Sequence, residues 1–296
     1  MLNRRTFIKN LSVGTVGAMV VNLPLEAFAT GEFSKITILH TNDFHSHIEA
    51  FPADAARNAG EGGMAKRAAL IKKTRSEEKN VLLFDAGDIY QGSPYFNYFK
   101  GELEFKLMSE MGYDAVTIGN HEFDNGLEGI ESELKFADFP FVCSNYDFSD
   151  TILAGKTIPY KTFRQGGIKV GVYGLGIELN GLVSKKNYGN TKYLDPLETA
   201  LKMEKMLKEE KNCDLVICLS HLGFAYKEDK VSDKIIAAET SYTDLIIGGH
   251  THTFLDKPVS INNKAGNEVL VNQVGFGGLI LGRVDFYFSK DKKRVK

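Results

Sequence analysis

Ala115-Val116-Thr117-Ile118-Gly119-Asn120-His121-Glu122-Phe123-Asp124 passes directly from a β-branched apolar run into an amide, an imidazole and a carboxylate. The run Ala115–Ile118 reads as a buried strand, and a Gly-containing loop and a helical pattern around Leu127 to Phe136 follow it. Asn120, His121 and Asp124 therefore fall at the carboxyl end of a strand, where open α/β sheets collect their ligands. There Asn120 offers a neutral oxygen to a metal ion, His121 faces a substrate, and Asp124 fixes the His121 tautomer. The competing reading is a capped turn with a solvated histidine, and the rest of the chain weighs against it.

Four more apolar strands end in the same kind of residue. Lys35–Leu39 runs into His40-Thr41-Asn42-Asp43-Phe44-His45, and Val81–Phe84 into Asp85-Ala86-Gly87-Asp88. Asp214–Leu219 is followed by Ser220-His221, and Asp244–Ile247 by Gly248-Gly249-His250-Thr251-His252. The chain has seven histidines, and five of them lie at these strand ends. A satisfied core histidine explains one such case, not the concentration. Carboxylate mixed with imidazole is the ligand set that Zn, Mn and Fe accept. One centre would take Asp43, His45, a shared Asp88 and His252; a second would take Asp88, Asn120, His221 and His250. Two divalent ions about 3.5–4 Å apart would hold a bridging hydroxide and clamp a phosphoryl group. His121, held by Asp124, would stabilise or protonate the leaving oxygen.

Neighbouring residues receive plainer readings. His40 is expected in the core or behind the ligands, and His47 in a loop; Asp85 is expected to bond nearby backbone. Gly62 to Glu78 is helical, with Met64, Ala68, Leu70 and Ile71 inward and its basic residues, Arg67 among them, on a solvated face. Tyr95, Phe96, Tyr98 and Phe99 read as core. Further helices are expected at Glu102–Met111 and Pro196–Lys211, the latter burying Leu197, Leu201, Met206 and Leu207, with a charged helix between His221 and Asp244. Further strands are expected at Phe139–Ser144, Tyr160–Phe163, Ile168–Leu175, Pro258–Ile261, Glu268–Asn272, Gly278–Leu281 and Gly282–Phe288. Asn145–Thr157 and Gly181–Asn190 read as loops. Strands alternating with helices make the class α/β.

Lys+Arg 36 against Asp+Glu 38 leaves no basic excess of the kind a nucleic-acid polymer would require. Cys143, Cys213 and Cys218 are too few and too odd in number for a disulfide framework. Asn3-Arg4-Arg5-Thr6-Phe7-Ile8-Lys9, a short apolar run from Leu11 to Val21 and Ala27-Phe28-Ala29 make residues 1–29 a leader that resembles the twin-arginine (Tat) type, with an ordinary Sec signal carrying two arginines as the alternative. The expected mature chain is a single catalytic domain, residues 30–296, exported to the periplasm by the Tat machinery with no stable membrane anchor.

Asp43-x-His45, Gly87-Asp88, Gly119-Asn120-His121-Glu122, His221 and Gly249-His250-x-His252 together resemble the calcineurin-like metallophosphoesterases. Leu39-His40-Thr41-Asn42-Asp43 and Gly87-Asp88-x-Tyr90-Gln91-Gly92-Ser93 narrow the resemblance to their 5'-nucleotidase branch, over about Ile36 to Phe288. The resemblance implies a four-layer α-β-β-α sandwich of two mixed sheets, the ligand roles given above, and His121 with Asp124 as catalytic pair. It implies two divalent cations (Mn, Zn or Fe) and hydrolysis of a small phosphoester, a nucleotide monoester first. Cyclic nucleotides, sugar nucleotides and thiosulfate esters suit the same site. The branch often has Gln or Asn where this chain has His252, which leaves the metal open. It usually continues into a second domain whose aromatics sandwich the base, so a separate base-binding chain, making a split nucleotidase, is an expected partner. A catalytically silent binding scaffold is the rival from another class, and the intact His121/Asp124 pair argues against it.

Overall fold

The computed structural model describes residues 33–295; the leader lies outside them. Strand β1 (Phe33–Thr41) is followed by helix α1 (Met64–Glu77), β2 (Val81–Asp85), α2 (Pro94–Phe99), α3 (Glu102–Met111) and β3 (Ala115–Val116). After a 3-10 turn at His121–Asn125 come α4 (Gly126–Glu133), β4 (Tyr146–Asp147), β5 (Tyr160–Gln165), β6 (Ile168–Leu175), α5 (Lys185–Tyr188) and β7 (Lys192–Tyr193). The chain ends with α6 (Pro196–Lys205), β8 (Leu215–Ser220), α7 (Asp233–Glu239), β9 (Leu245–Gly248), β10 (Val259–Asn262), β11 (Glu268–Asn272), β12 (Gly282–Ser289) and β13 (Arg294–Val295).

Two mixed sheets result, one ordered β13-β12-β1-β2-β3 and the other β10-β11-β9-β8-β6-β5; β4 and β7 pair separately. β1, β2 and β3 run parallel in the first, and β6, β8, β9 and β11 in the second, so their carboxyl ends share an edge. The period-2 alternation of the strands builds the layers. Ile36, Ile38, Leu82 and Phe84 face Val170, Val172, Leu215, Ile217 and Ile247 between the sheets. On the outer face of the first sheet, Leu39 and Leu83 meet Ile71, Phe105 and Met108 of the helices. On the outer face of the second, Tyr173, Val216, Cys218 and Ile246 meet Ala200, Met203 and Ile236. The architecture is the expected α-β-β-α sandwich.

Several local readings need correction. Phe139–Ser144 is not a strand but a stitch between the sheets. Val142 N–H bonds Val116 at the edge of the first sheet, and Ser144 N–H bonds Gly174 in the second. A chain that changes partner every two residues forms only isolated bridges. A side chain at Gly174 would put its Cβ 1.9 Å from the Val142 carbonyl oxygen. Gly174→Ala is expected to cost about 3 kcal/mol, a thermal midpoint lower by roughly 6–12 °C. Gly278–Leu281 forms a turn and not a strand, and the supposed loops contain β4 and α5.

Side-chain facing differs in three helices. In α1 Met64 and Ile71 are buried and Ala68 half-buried as expected, but Leu70 is exposed and Arg67 takes an inward position in its place. Arg67 is buried with its guanidinium 4.9 Å from the centre of the Phe44 ring. Leu201 of α6 is likewise exposed, the neighbouring Ala200 and Met203 taking the inward positions. Of the α2 aromatics only Phe96 is buried; Tyr98 is 86% exposed, and Phe99 is exposed too.

Candidate metal centre

The strand ends meet at the shared carboxyl edge. Asp43, His45, Asp88, His250 and His252 all have φ between 47° and 71°. Left-handed backbone is uncommon for residues other than glycine and costs free energy, and its clustering here turns the side chains toward one point. Gly87 and Gly119 let the loops close: a Cβ on Gly119 would lie 2.3 Å from Asp88 Oδ1.

The structure brings the expected donor residues together. Asp43, His45 and His252 form one cluster of donor atoms; Asp88, His221 and His250 form another; His45, Asp88 and His121 form a third between them. Within each cluster the donor atoms lie within 4.8 Å of one another. Asp88 Oδ2 is 3.0 Å from His221 Nε2 and 4.0 Å from His45 Nε2. Asp43 Oδ1 is 3.4 Å from His252 Nε2, and Asn120 Oδ1 is 2.9 Å from His250 Nδ1.

Backbone carbonyls orient the rings. His221 places Nδ1 2.7 Å from the Ala86 oxygen, and His45 places Nδ1 3.2 Å from the Tyr90 oxygen. Each Nδ1 therefore donates to its carbonyl and each Nε2 is aimed into the cluster; against burial, the Asp88 carboxylate raises the His221 pKa to about 10. His221 Nε2 is buried without a hydrogen-bond partner, and His45 Nε2 faces His252 Nε2 at 2.9 Å. Buried imidazole nitrogens and carboxylates converging within 4.8 Å of one another suit divalent cations. The donor set fits the group.

His121 and Asp124 stand beside the clusters with a different character. His121 Nδ1 lies 2.8 Å from Asp124 Oδ2, and the two side chains are 35% and 31% exposed. The Asp124 hydrogen bond outweighs burial and raises the His121 pKa to about 9. His250, by contrast, is held down to about 3 by burial and by His221 nearby.

Three supporting residues were not picked out from the sequence. The buried Glu122 carboxylate accepts from the N–H groups of Asp88 (3.0 Å), Ile89 (2.6 Å), Tyr90 (3.3 Å) and Gly119 (2.6 Å). It thus ties the Asp88 loop to the Asn120 loop, and burial followed by the Asp88 charge raises its pKa to about 7. Asn42 Nδ2 donates to Asp43 Oδ2 and to the Gly275 oxygen, and its Oδ1 accepts from Val274 N–H. Gln273 Nε2 donates to the Gly249 oxygen while its Oε1 accepts from Thr251 and Thr253. Glu122 lay in view inside the Gly119–Asp124 stretch. Glu122→Gln would turn an amide N–H₂ toward backbone donors, so we expect a loss of about 2–4 kcal/mol in stability. Calorimetric titration with Mn²⁺ should show affinity about 10- to 100-fold weaker.

The plainer expectations hold as well. His40 is fully buried, with its pKa lowered to about 3 by burial, and sits 3.0 Å from Asn272 Nδ2. Asp85 accepts from Gly87 N–H and Thr41 Oγ1, and His47 stacks on Phe51 at the loop. All three cysteines are buried and free.

The calcineurin-like phosphoesterase family matches residues 36–254. The chain belongs to it. This calcineurin-like phosphoesterase is 37% identical over 289 residues to a snake venom 5'-nucleotidase of Gloydius brevicauda, covering 90% of this chain and 47% of that relative. It is 38% identical over 277 residues to a 5'-nucleotidase of Homo sapiens, covering 86% and 47%. Its structure is similar to that of a 5'-nucleotidase precursor from Thermus thermophilus, with TM-score 0.79 and 32% identity over 89% of this chain and 53% of that one. The chain spans about half the length of the curated relatives it matches. Its family is one of phosphoric ester hydrolases that use a dinuclear metal site, and the clusters described above are this chain's candidates for such a site.

Proposed function

We propose that this phosphoesterase is an exported phosphomonoesterase that hydrolyses nucleoside 5'-monophosphates with two divalent cations. The observation that carries the reading is the half-exposed His121–Asp124 pair set against two buried clusters that share Asp88. Nucleotide preference draws its support from the 5'-nucleotidases among the relatives. In this reading Asp43, His45, Asp88 and His252 hold one cation, and Asp88, Asn120, His221 and His250 hold the other. When bound, the pair supplies Lewis acidity to the phosphoryl oxygens and acidifies a water molecule. Mixed carboxylate, amide and imidazole donors suit Mn, Zn or Fe.

The chain's own residues do the remainder. The buried donor sets fix the phosphoryl group so that its ester oxygen points to the open side, where His121 stands. As the water oxygen, one proton already given up to solvent, bonds to phosphorus, the P–O ester bond breaks, the departing alkoxide takes a proton from His121, and solvent restores that proton to the imidazole. Asp124 keeps that imidazole protonated and oriented.

Phosphate release from 5'-AMP by the mature protein with Mn²⁺ or Zn²⁺ tests the reading. Saturable turnover abolished by a chelator is expected. Cations bound with AMP untouched would overturn the nucleotide assignment and direct the search to a separate base-binding chain or another ester. Export through the Tat route is supported by Arg4 and Arg5 ahead of the apolar leader. Replacing both with lysine should hold the protein inside the cell. Among the described residues no helix is long and apolar enough to cross a membrane.

A further inference from the structure

His45 and His221 are each turned by a backbone carbonyl at Nδ1, 3.2 Å and 2.7 Å away. His252 has no such carbonyl among the described residues; its Nε2 lies 2.9 Å from His45 Nε2 and 3.4 Å from Asp43 Oδ1, and its side chain is 41% exposed. The torsion that turns an imidazole about its Cβ–Cγ bond is soft. A ring this open, with no hydrogen bond at Nδ1, would swing its Nε2 away from the cluster unless something else held it.

What lies against it is another ring. Phe276 stacks on the His252 imidazole with centroids 5.2 Å apart and planes 22° from parallel. That separation falls in the range of roughly 4.5–7 Å at which aromatic pairs attract. Phe276 is itself clamped edge-to-face by Phe254, at 5.9 Å and 75°, and by Phe51, at 6.4 Å and 86°.

The backbone beneath Phe276 is tied on both sides. Gly275 N–H donates to the Thr253 oxygen at 3.0 Å, and the Gly275 oxygen accepts from Asn42 Nδ2 at 2.7 Å. Gly277 N–H donates to the Asp43 oxygen at 2.7 Å. Both glycines have positive φ, 74° and 65°, and both sit close to an aromatic ring. A Cβ on Gly275 would lie 2.2 Å from the Phe254 ring, and one on Gly277 2.9 Å from the Phe51 ring. The strap that carries Phe276 is thus fastened beside His252 at Thr253 and directly to Asp43.

We propose that Phe276 is a positioning residue of the metal centre, whose stack fixes the plane of His252 so that Nε2 is presented with Asp43 and His45 to one cation. The inference rests on the assignment of His252 as a cation ligand above and deepens it. Phe276 acts through His252 alone.

Calorimetric titration of the metal-free mature protein with Mn²⁺ reads cation affinity without turnover. Phe276→Leu and Phe276→Met keep apolar bulk against Phe51 and Phe254 but have no ring. Each is expected to weaken one of the two cations about 10-fold and to leave the other unchanged. Phe276→Tyr, which keeps the ring, should retain the original affinity. In a His252→Ala background no imidazole remains to be held, so Phe276→Leu should cost nothing further. Unchanged affinities in both ringless variants, a loss shared by both cations, or the same loss with and without His252 would overturn the positioning role and leave His252 as a ligand. Cation affinities indifferent to His252→Ala would overturn the ligand assignment, and the role of Phe276 with it.

Discussion

Asp88→Asn is expected to strip the protein of bound cation and to lower kcat/KM by at least about a thousandfold, roughly 4 kcal/mol of transition-state stabilisation. The reason is that Asp88 serves more than one cluster. It shares donor sets with His221 and His250 on one side and with His45 and His121 on the other. Asparagine keeps the shape but halves the donor oxygens and removes the charge. Its amide N–H₂ can donate to the lone pair of His221 Nε2, 3.0 Å from the present carboxylate oxygen, and so occupy a donor the cation needs. Asp88 and His221 hold each other's charge in the apoprotein, so removing the carboxylate should lower the apoprotein's thermal midpoint as well. Metal analysis should find fewer than two cations per chain even at temperatures where circular dichroism shows the variant folded. Asp85→Asn is the control, since Asp85 bonds only Gly87 N–H and Thr41 and joins no cluster. Retention of both cations and full turnover by Asp88→Asn would remove Asp88 from the shared position.

The sequence showed where the donors collect more clearly than what holds them there. An apolar run that stops in Asp, Asn or His marks a strand end, and all parallel strands of a sheet present those ends on one edge. That periodicity brought Asp43, His45, Asp88, Asn120, His221, His250 and His252 together from the sequence alone. Glu122, Asn42 and Gln273 escaped because their partners are backbone groups from remote loops. A buried carboxylate bonded to N–H groups has the same letter as a solvated one. Arg67 misled for a related reason: its long stem lets it occupy the inward stripe of α1 while Leu70 faces water. Phe139–Ser144 has strand composition, yet it lies between two sheets, and no local pattern reports a change of partner. Tyr98 and Phe99 follow the α2 register and not the hydrophobic rule that put them in the core.

His121 and Asp124 should separate chemistry from cation binding. His121→Gln is expected to lower kcat about 10²- to 10⁴-fold, the range for a positioned proton donor, with cation content and KM little changed. Asp124→Asn should cost less, because the imidazole remains, but it should reshape the pH profile. A hydrogen bond to Asp124 raises the His121 pKa from 6.5 to about 9. The raised value keeps His121 protonated, and able to donate, up to about pH 9, and activity is lost as pH rises through it. Without the carboxylate the pKa falls back toward 6.5, so the alkaline limb of kcat should move down by up to about two units. At neutral pH most of the loss would then be a loss of proton, and lowering the pH should recover much of it. An ester whose leaving group needs no proton, such as a nitrophenyl phosphate, should feel both substitutions far less than AMP. If both substitutions slow that ester as much as they slow AMP, then His121 acts on the phosphoryl group and not on the leaving oxygen. A limb that stays in place in Asp124→Asn would show that some other group sets the profile.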